Sequence, residues 1–262
     1  MSDTVLYEVQ GNVALITLNR PERLNAWNSD MHTGYYNALD QAAADPEVRV
    51  IVVTGAGRGF CAGADMDVLQ GISGSGSGDG SERDDRDARY AIGIPKPVIA
   101  AVNGACAGLG LVQALACDIR FAAAGAKFTV AFSRRGLIGE HGISWTLPHL
   151  VGQAVAMDLM VSGRVFLAEE AEQLGLVNKV VPGDQLMETT MAYAADVAAN
   201  VSPTSMAIMK HQIYNHPGMS LDDAMTESNQ LMRESIKRTD FKEGVTSFLE
   251  KRLPNFAPYI TP

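Results

Sequence analysis

Val50-Ile-Val-Val-Thr-Gly-Ala-Gly-Arg-Gly-Phe-Cys-Ala-Gly-Ala-Asp65 runs from a β-branched strand into a glycine-rich turn. The same order returns at Pro97-Val-Ile-Ala-Ala-Val-Asn-Gly-Ala-Cys-Ala-Gly-Leu-Gly110, followed by a short helical run to Cys117-Asp118. Glycine permits a strained backbone and leaves no side chain between a main-chain N–H and a ligand. Two such turns, brought together, can aim two N–H donors at one oxygen and stabilise charge as it develops on a carbonyl. Alternatively, the glycines only shape tight turns or let a helix pack close to a sheet.

Working outward, Thr4–Gln10 and Asn12–Leu18 read as strands joined at Gly11-Asn12, a hairpin turn. Ser29 is expected to cap a helix reaching about Ala44, with Met31, Tyr35, Ala38, Leu39 and Ala42 on one face. Val48–Thr54 has the β-branched composition of a strand buried on both faces. Val98–Val102 and Ile119–Ala122 repeat this strand pattern. Gly71–Gly80 is a low-complexity stretch, prolonged by the charged run Ser81–Arg89. It reads as a surface loop between the two glycine turns, either a lid or a plain linker. After Pro182 the chain reads as helices over Asp184–Asn200, Pro203–His216, Ser220–Ile236 and Thr239–Arg252. Their apolar residues, among them Ala207, Ile208, Ile213, Leu221, Ala224, Met225 and Leu231, recur at helical spacing and suit a core or a subunit interface.

With 262 residues, 47% of them hydrophobic, the chain can bury a substantial core. No apolar stretch is long enough to span a membrane, and Met1-Ser-Asp lacks the start of a signal peptide. A soluble, cytoplasmic protein is the simplest reading. Cys61, Cys106 and Cys117 suit buried thiols of a reducing compartment, with a catalytic thiol as the alternative for the first two. No Cys/His set has zinc-ligand spacing. The net charge of −9 argues against nucleic acid or an anionic membrane as the main partner.

These segments, in this order, resemble the crotonase superfamily, also called the enoyl-CoA hydratase/isomerase family. The matching strings are Leu18–Ala26, Phe60–Asp65, Lys96–Gly104, Cys117–Arg120, Ala168–Val177 and Phe248–Arg252. The resemblance implies an α/β fold, a spiral of ββα repeats, with an acyl-CoA site in residues 1–200 and a C-terminal helical region, 201–262, that builds homotrimers or homohexamers. By the family pattern the oxyanion hole is the backbone N–H of Ala64 and of Leu109. Coenzyme A, contacted by Arg23, Ala62, Ala64, Asp65 and Lys251, enters as part of the substrate. Lys251 belongs to the adenosine end and in some relatives comes from a neighbouring subunit. No metal or separate cofactor is implied.

The resemblance breaks at the acid–base residues. Family hydratases use two glutamates to position water and exchange protons. Gap-free alignment of Asn103-Gly104 and Cys117-Asp118 places Val112 at the first, and the second, four residues before the glycine that matches Gly136, falls on Phe132; neither transfers protons. Gln113 is adjacent to the first, but one helical step turns it roughly 100° away. Glu140, in Gly136-Leu-Ile-Gly-Glu-His-Gly-Ile-Ser-Trp145, stands where some relatives carry an acidic residue. It is a candidate base or nucleophile, or else an exposed loop acid or a cap for a helix starting near Ser144. Two functions therefore compete: an enzyme that holds a thioester enolate, and a non-catalytic acyl-CoA-binding protein of the same fold. A third, NAD binding at Thr54–Cys61, is disfavoured because the turn is not in the first strand–helix unit and no Tyr-x-x-x-Lys occurs.

Overall fold

β1 (Val5–Gln10) and β2 (Val13–Leu18) form the expected antiparallel hairpin, pairing from Val5 with Leu18 to Gln10 with Val13. Gly11 makes the turn at φ +60°, a conformation that costs glycine little. The computed structural model describes residues 3–68, 70 and 84–259. The glycine-rich stretch 71–80 and residues 81–83 lie outside the described residues, so its reading as a lid or linker finds no counterpart there.

Next in the chain is the helix Ser29–Ala44, which carries the chain from β2 to β3 (Val50–Gly55), a parallel neighbour. Parallel strands need such a crossover. Its cap is Asn28 rather than the expected Ser29: Asn28 has extended backbone, and its side chain accepts from Met31 N at 2.9 Å. Ser29 is already helical, so it cannot be the cap. The apolar face is buried as expected, with Tyr36 added to it.

β5 (Val98–Val102) lies parallel to β3, β7 (Ile119–Ala123) parallel to β5, and β10 (Lys179–Val181) parallel to β7. The result is a six-stranded sheet in the order β1-β2-β3-β5-β7-β10. A second sheet, β4-β6-β8-β9, uses β4 (Gly59–Cys61), β6 (Ala105–Ala107), β8 (Lys127–Thr129) and β9 (Phe166–Leu167). Each of β3, β5 and β7 is followed by a short strand that joins the second sheet. This is the spiral of ββα repeats: one long strand, one short strand, one helix, then back to the first sheet. Every residue of β3 and β5 is buried, consistent with a parallel sheet covered on both faces.

The C-terminal helices are Leu186–Asn200, Pro203–Asn215, Leu221–Ser235 and Thr239–Glu250. The first packs on β3 and β5. The second stops at Asn215, before a 3-10 turn containing Pro217, which lacks an N–H to continue a helix. The last ends at Glu250 because Lys251 turns left-handed, φ +54°. One buried cation fastens this region to the core. Lys210 Nζ reaches Asp118 Oδ2 at 2.8 Å, Ala91 O at 2.9 Å and Lys96 O at 3.1 Å. Tyr214 donates to the other oxygen of Asp118. Burial pushes the Lys210 amine down, and Asp118 works against that shift. The apolar stripes divide: Ala207 is buried, whereas Ile213, Leu221 and Met225 are exposed.

Candidate active site

Strand β4 ends in the first glycine turn and β6 ends in the second, and these two strands are parallel neighbours. The fold therefore brings the turns together. Contact between them is close enough to require glycine. A Cβ on Gly104 would stand 2.1 Å from Arg58 O, and one on Gly110 would stand 2.2 Å from Cys61 O. Gly63 adopts φ +101°, and a Cβ there would meet Ala107 O at 3.0 Å and Leu109 N at 3.8 Å. Gly110→Ala is accordingly expected to destabilise the protein by about 1–3 kcal/mol, an overpacking cost. Urea unfolding measures it, and an unchanged midpoint would contradict this packing account.

Side chains lock the turns in place. Asn25 is fully buried; it accepts from Arg20 N at 2.8 Å and donates to Gly59 O at 2.8 Å and Ala56 O at 3.0 Å. Asn103 donates to Gly55 O and Gly57 O at 2.8 and 2.9 Å, so the second turn holds the first. Both asparagines fell within the quoted family strings, but their work as clamps was not legible there.

Trp27 supplies the last support. Its N–H donates to Gly63 O at 2.7 Å and its carbonyl accepts from Asp65 N at 2.9 Å. These bonds straddle Ala64, whose own N–H has no protein acceptor among the described residues. Leu109 is the first residue of the helix Leu109–Ala116, and N–H groups in the first turn have no partner within a helix. Both N–H groups therefore lack a partner inside the elements that hold them.

Ala64 and Leu109 line one cavity of about 330 Å³, together with Ala62, Gly63, Phe132 and Glu140. Arg23, Asp65, Arg135 and His141 line it too. Asp65 carries its carboxylate to Arg20, 2.8 Å away, with its side chain 6% exposed. A backbone N–H bond from Asp67 and the Arg20 guanidinium hold that carboxyl below its usual range. Its carboxylate is thus engaged within the protein. Arg23 is exposed at the rim, 3.3 Å from Asp67. Lys251 does not line the cavity; it sits beyond the C-terminal helix. Arg135 is part of the wall.

Val112 is buried behind the cavity and does not line it, whereas Phe132 does. Gln113 points elsewhere, with its amide nitrogen 3.3 Å from Tyr36 OH. Glu140 is half-exposed and lies 3.8 Å from His141 Nε2. It does not cap the following helix: that helix starts at Ile143, one residue before the expected Ser144, and Gly142 precedes it with no side-chain cap. Catalytic thiols are ruled out by burial. Cys61 and Cys106 are 0% exposed, and burial pushes the Cys61 thiol up to about 12 and that of Cys106 well above its ordinary value. Neither is a thiolate at neutral pH.

Comparison with known proteins gives the family. The description of the enoyl-CoA hydratase/isomerase family matches residues 8–258. The chain belongs to the enoyl-CoA hydratase/isomerase family. It is similar to the 1,2-epoxyphenylacetyl-CoA isomerase of Escherichia coli K12, with 38% identity over 98% of this chain and 99% of the relative. Among solved structures, an enoyl-CoA hydratase from Mycobacterium marinum is 53% identical, with TM-score 0.72 over 83% of this chain and 100% of that one. Another, from Polaromonas, has TM-score 0.90 at 30% identity, covering 96% and 99% of the two chains. The protein is thus a crotonase-fold enzyme of the hydratase/isomerase family. Among the described residues, no helix is long and apolar enough to cross a membrane.

Proposed function

We propose that this enzyme isomerises unsaturated acyl-CoA thioesters, using Glu140 as the base and the N–H groups of Ala64 and Leu109 as the oxyanion hole. The observation that carries this reading is that a carboxylate with no buried ion-pair partner shares one cavity with both N–H groups. Glu140 takes a proton from the carbon beside the thioester carbonyl. The released electron pair moves toward the thioester oxygen, where two N–H donors stabilise the charge. Return of a proton to a different carbon completes the double-bond shift. The E. coli relative is named 1,2-epoxyphenylacetyl-CoA isomerase, and an isomerase acting on a CoA ester is in keeping with this reading. Glu140 as nucleophile is disfavoured, because the half-exposed carboxylate then needs a leaving group on the substrate.

Binding follows from the same cavity. The acyl group meets Met66, Phe132 and Leu137, and the pantetheine runs along the main chain of Ala62, Ala64 and Asp65. Arg23 faces the phosphates. Lys251 reaches the adenosine of a neighbouring subunit's ligand in a homotrimer or homohexamer. Support for assembly is the apolar surface left by the last helix: Phe248, Leu249 and Leu253 are each more than 70% exposed, an unusual cluster for a monomer. Light scattering on the eluting protein reads the assembly directly, and a monomer would reject it. A cytoplasmic setting fits three free, buried cysteines, and no metal or redox cofactor is required.

The test is to incubate the protein with a panel of 3-enoyl-, dienoyl- and cyclic acyl-CoAs and to identify products by mass and NMR. Double-bond migration supports isomerisation; tight binding with no product on any substrate favours the non-catalytic reading. Hydration of crotonyl-CoA is expected to be at least about 10²-fold slower than in a two-glutamate relative, because Val112 and Phe132 leave no group to activate water. Robust hydration that survives Glu140→Gln would overturn this account of the missing acids.

A further inference from the structure

We infer that His141 is a second catalytic residue, the acid that returns a proton to the far carbon of the acyl group after Glu140 has removed one beside the thioester. This inference rests on the proposed role of Glu140 as base and adds the group that completes the transfer.

Three observations converge on His141. It lines the same cavity as Ala64, Leu109 and Glu140. Its Nε2 is 3.8 Å from Glu140 Oε2, too long for a hydrogen bond but short enough for a proton to cross with a small rotation of either side chain. Its backbone is left-handed, φ +53°, with Gly142 behind it at φ +76°. A non-glycine residue in that region carries strain, and such strain concentrates where a side chain is held for a task. Asp87 is held below its ordinary value mainly by Arg89 and, in smaller part, by the charge of His141. The imidazole therefore acts on two carboxylates, Glu140 in the cavity and Asp87.

The chemistry needs two positions. In a 3-enoyl-CoA, Glu140 takes a proton from C2, and that C–H pair becomes part of a dienolate with its charge on the thioester oxygen. The pair at C4 then takes a proton from the His141 imidazolium, forming a C–H bond and leaving a 2-enoyl-CoA. At this point Glu140 is protonated and His141 is neutral. Passage of one proton from Glu140 to His141 restores both. Nothing is oxidised or reduced, and no outside reactant is consumed. A single carboxylate would have to carry the same proton from C2 to C4. Two groups exposed to water instead deliver a proton that has exchanged with solvent. The substrate class implied is an unsaturated acyl-CoA that takes up its proton at a different carbon from the one that loses it.

The experiment follows the label. 3-Hexenoyl-CoA carrying deuterium at C2 is given to the wild type, His141→Asn and Glu140→Gln in ordinary water. Asparagine is chosen because it tolerates the left-handed backbone, and affinity for hexanoyl-CoA checks that the site remains formed. The expected result is 2-hexenoyl-CoA from the wild type with little deuterium at C4. His141→Asn should bind hexanoyl-CoA as the wild type does, yet turn over about 10²-fold more slowly and carry deuterium from C2 to C4. Wild-type rate and label pattern in His141→Asn would overturn the inference while leaving Glu140 as base. No product from the wild type, or product from Glu140→Gln at the wild-type rate, would remove the proposed base and this inference with it.

Discussion

Glu140→Gln is expected to lower product formation by about 10²–10⁴-fold while leaving affinity for a CoA thioester nearly unchanged. Glutamine keeps the size and the planar end of the side chain but cannot accept a proton from carbon. Because the carboxylate is half-exposed and its side chain has no hydrogen bond among the described residues, exchanging it leaves no buried group there without a partner. Stability should therefore hold, and the loss should fall on kcat rather than on binding. Glu140→Asp retains the carboxylate on a shorter arm and should recover part of the rate. Equal turnover by wild type and Glu140→Gln on a verified substrate would remove Glu140 from the mechanism.

The meeting of the two glycine turns was legible in the sequence because it belongs to the backbone. A main-chain N–H needs only a turn, and Gly-x-Gly patterns after β-branched strands announce turns whatever the neighbouring side chains are. The reading of Val112 and Phe132 rested instead on side-chain chemistry, since acid–base work needs particular side chains; of the two, Phe132 lines the cavity and Val112 does not. Less accessible were the clamps. Asn25 reaches Gly59 across 34 residues, and Asn103 reaches Gly55 across 48. Such side-chain-to-carbonyl bonds leave no periodic trace. Arg20 and Asp65 form a buried ion pair that local reading could not foresee. The helix start at Asn28 was missed by one residue because Asn and Ser are both strong caps, and only the backbone angles separate them. The C-terminal stripe was read as core or interface; Ala207 is buried, whereas Ile213, Leu221 and Met225 are exposed.

Ala64→Pro is expected to cost about 10²–10³-fold in turnover, the effect of deleting one oxyanion donor. Proline removes the N–H and fixes φ while leaving the carbonyl in place. The local bridge should survive, because Trp27 bonds to Gly63 O and Asp65 N and never uses Ala64 N. Its predecessor is Gly63, the residue most able to accommodate the restriction that proline places on its neighbour. Ala64→Gly is the control: it removes the side chain but keeps the donor, and it should retain most of the rate. Leu109 N would still contact the thioester oxygen in the proline variant, so binding should weaken less than turnover. That split follows from the charge, which is small on the ground-state carbonyl and large on the enolate, so a lost donor is felt most in the transition state. Equal losses in Ala64→Gly and Ala64→Pro would assign the effect to packing and take Ala64 N out of the oxyanion hole.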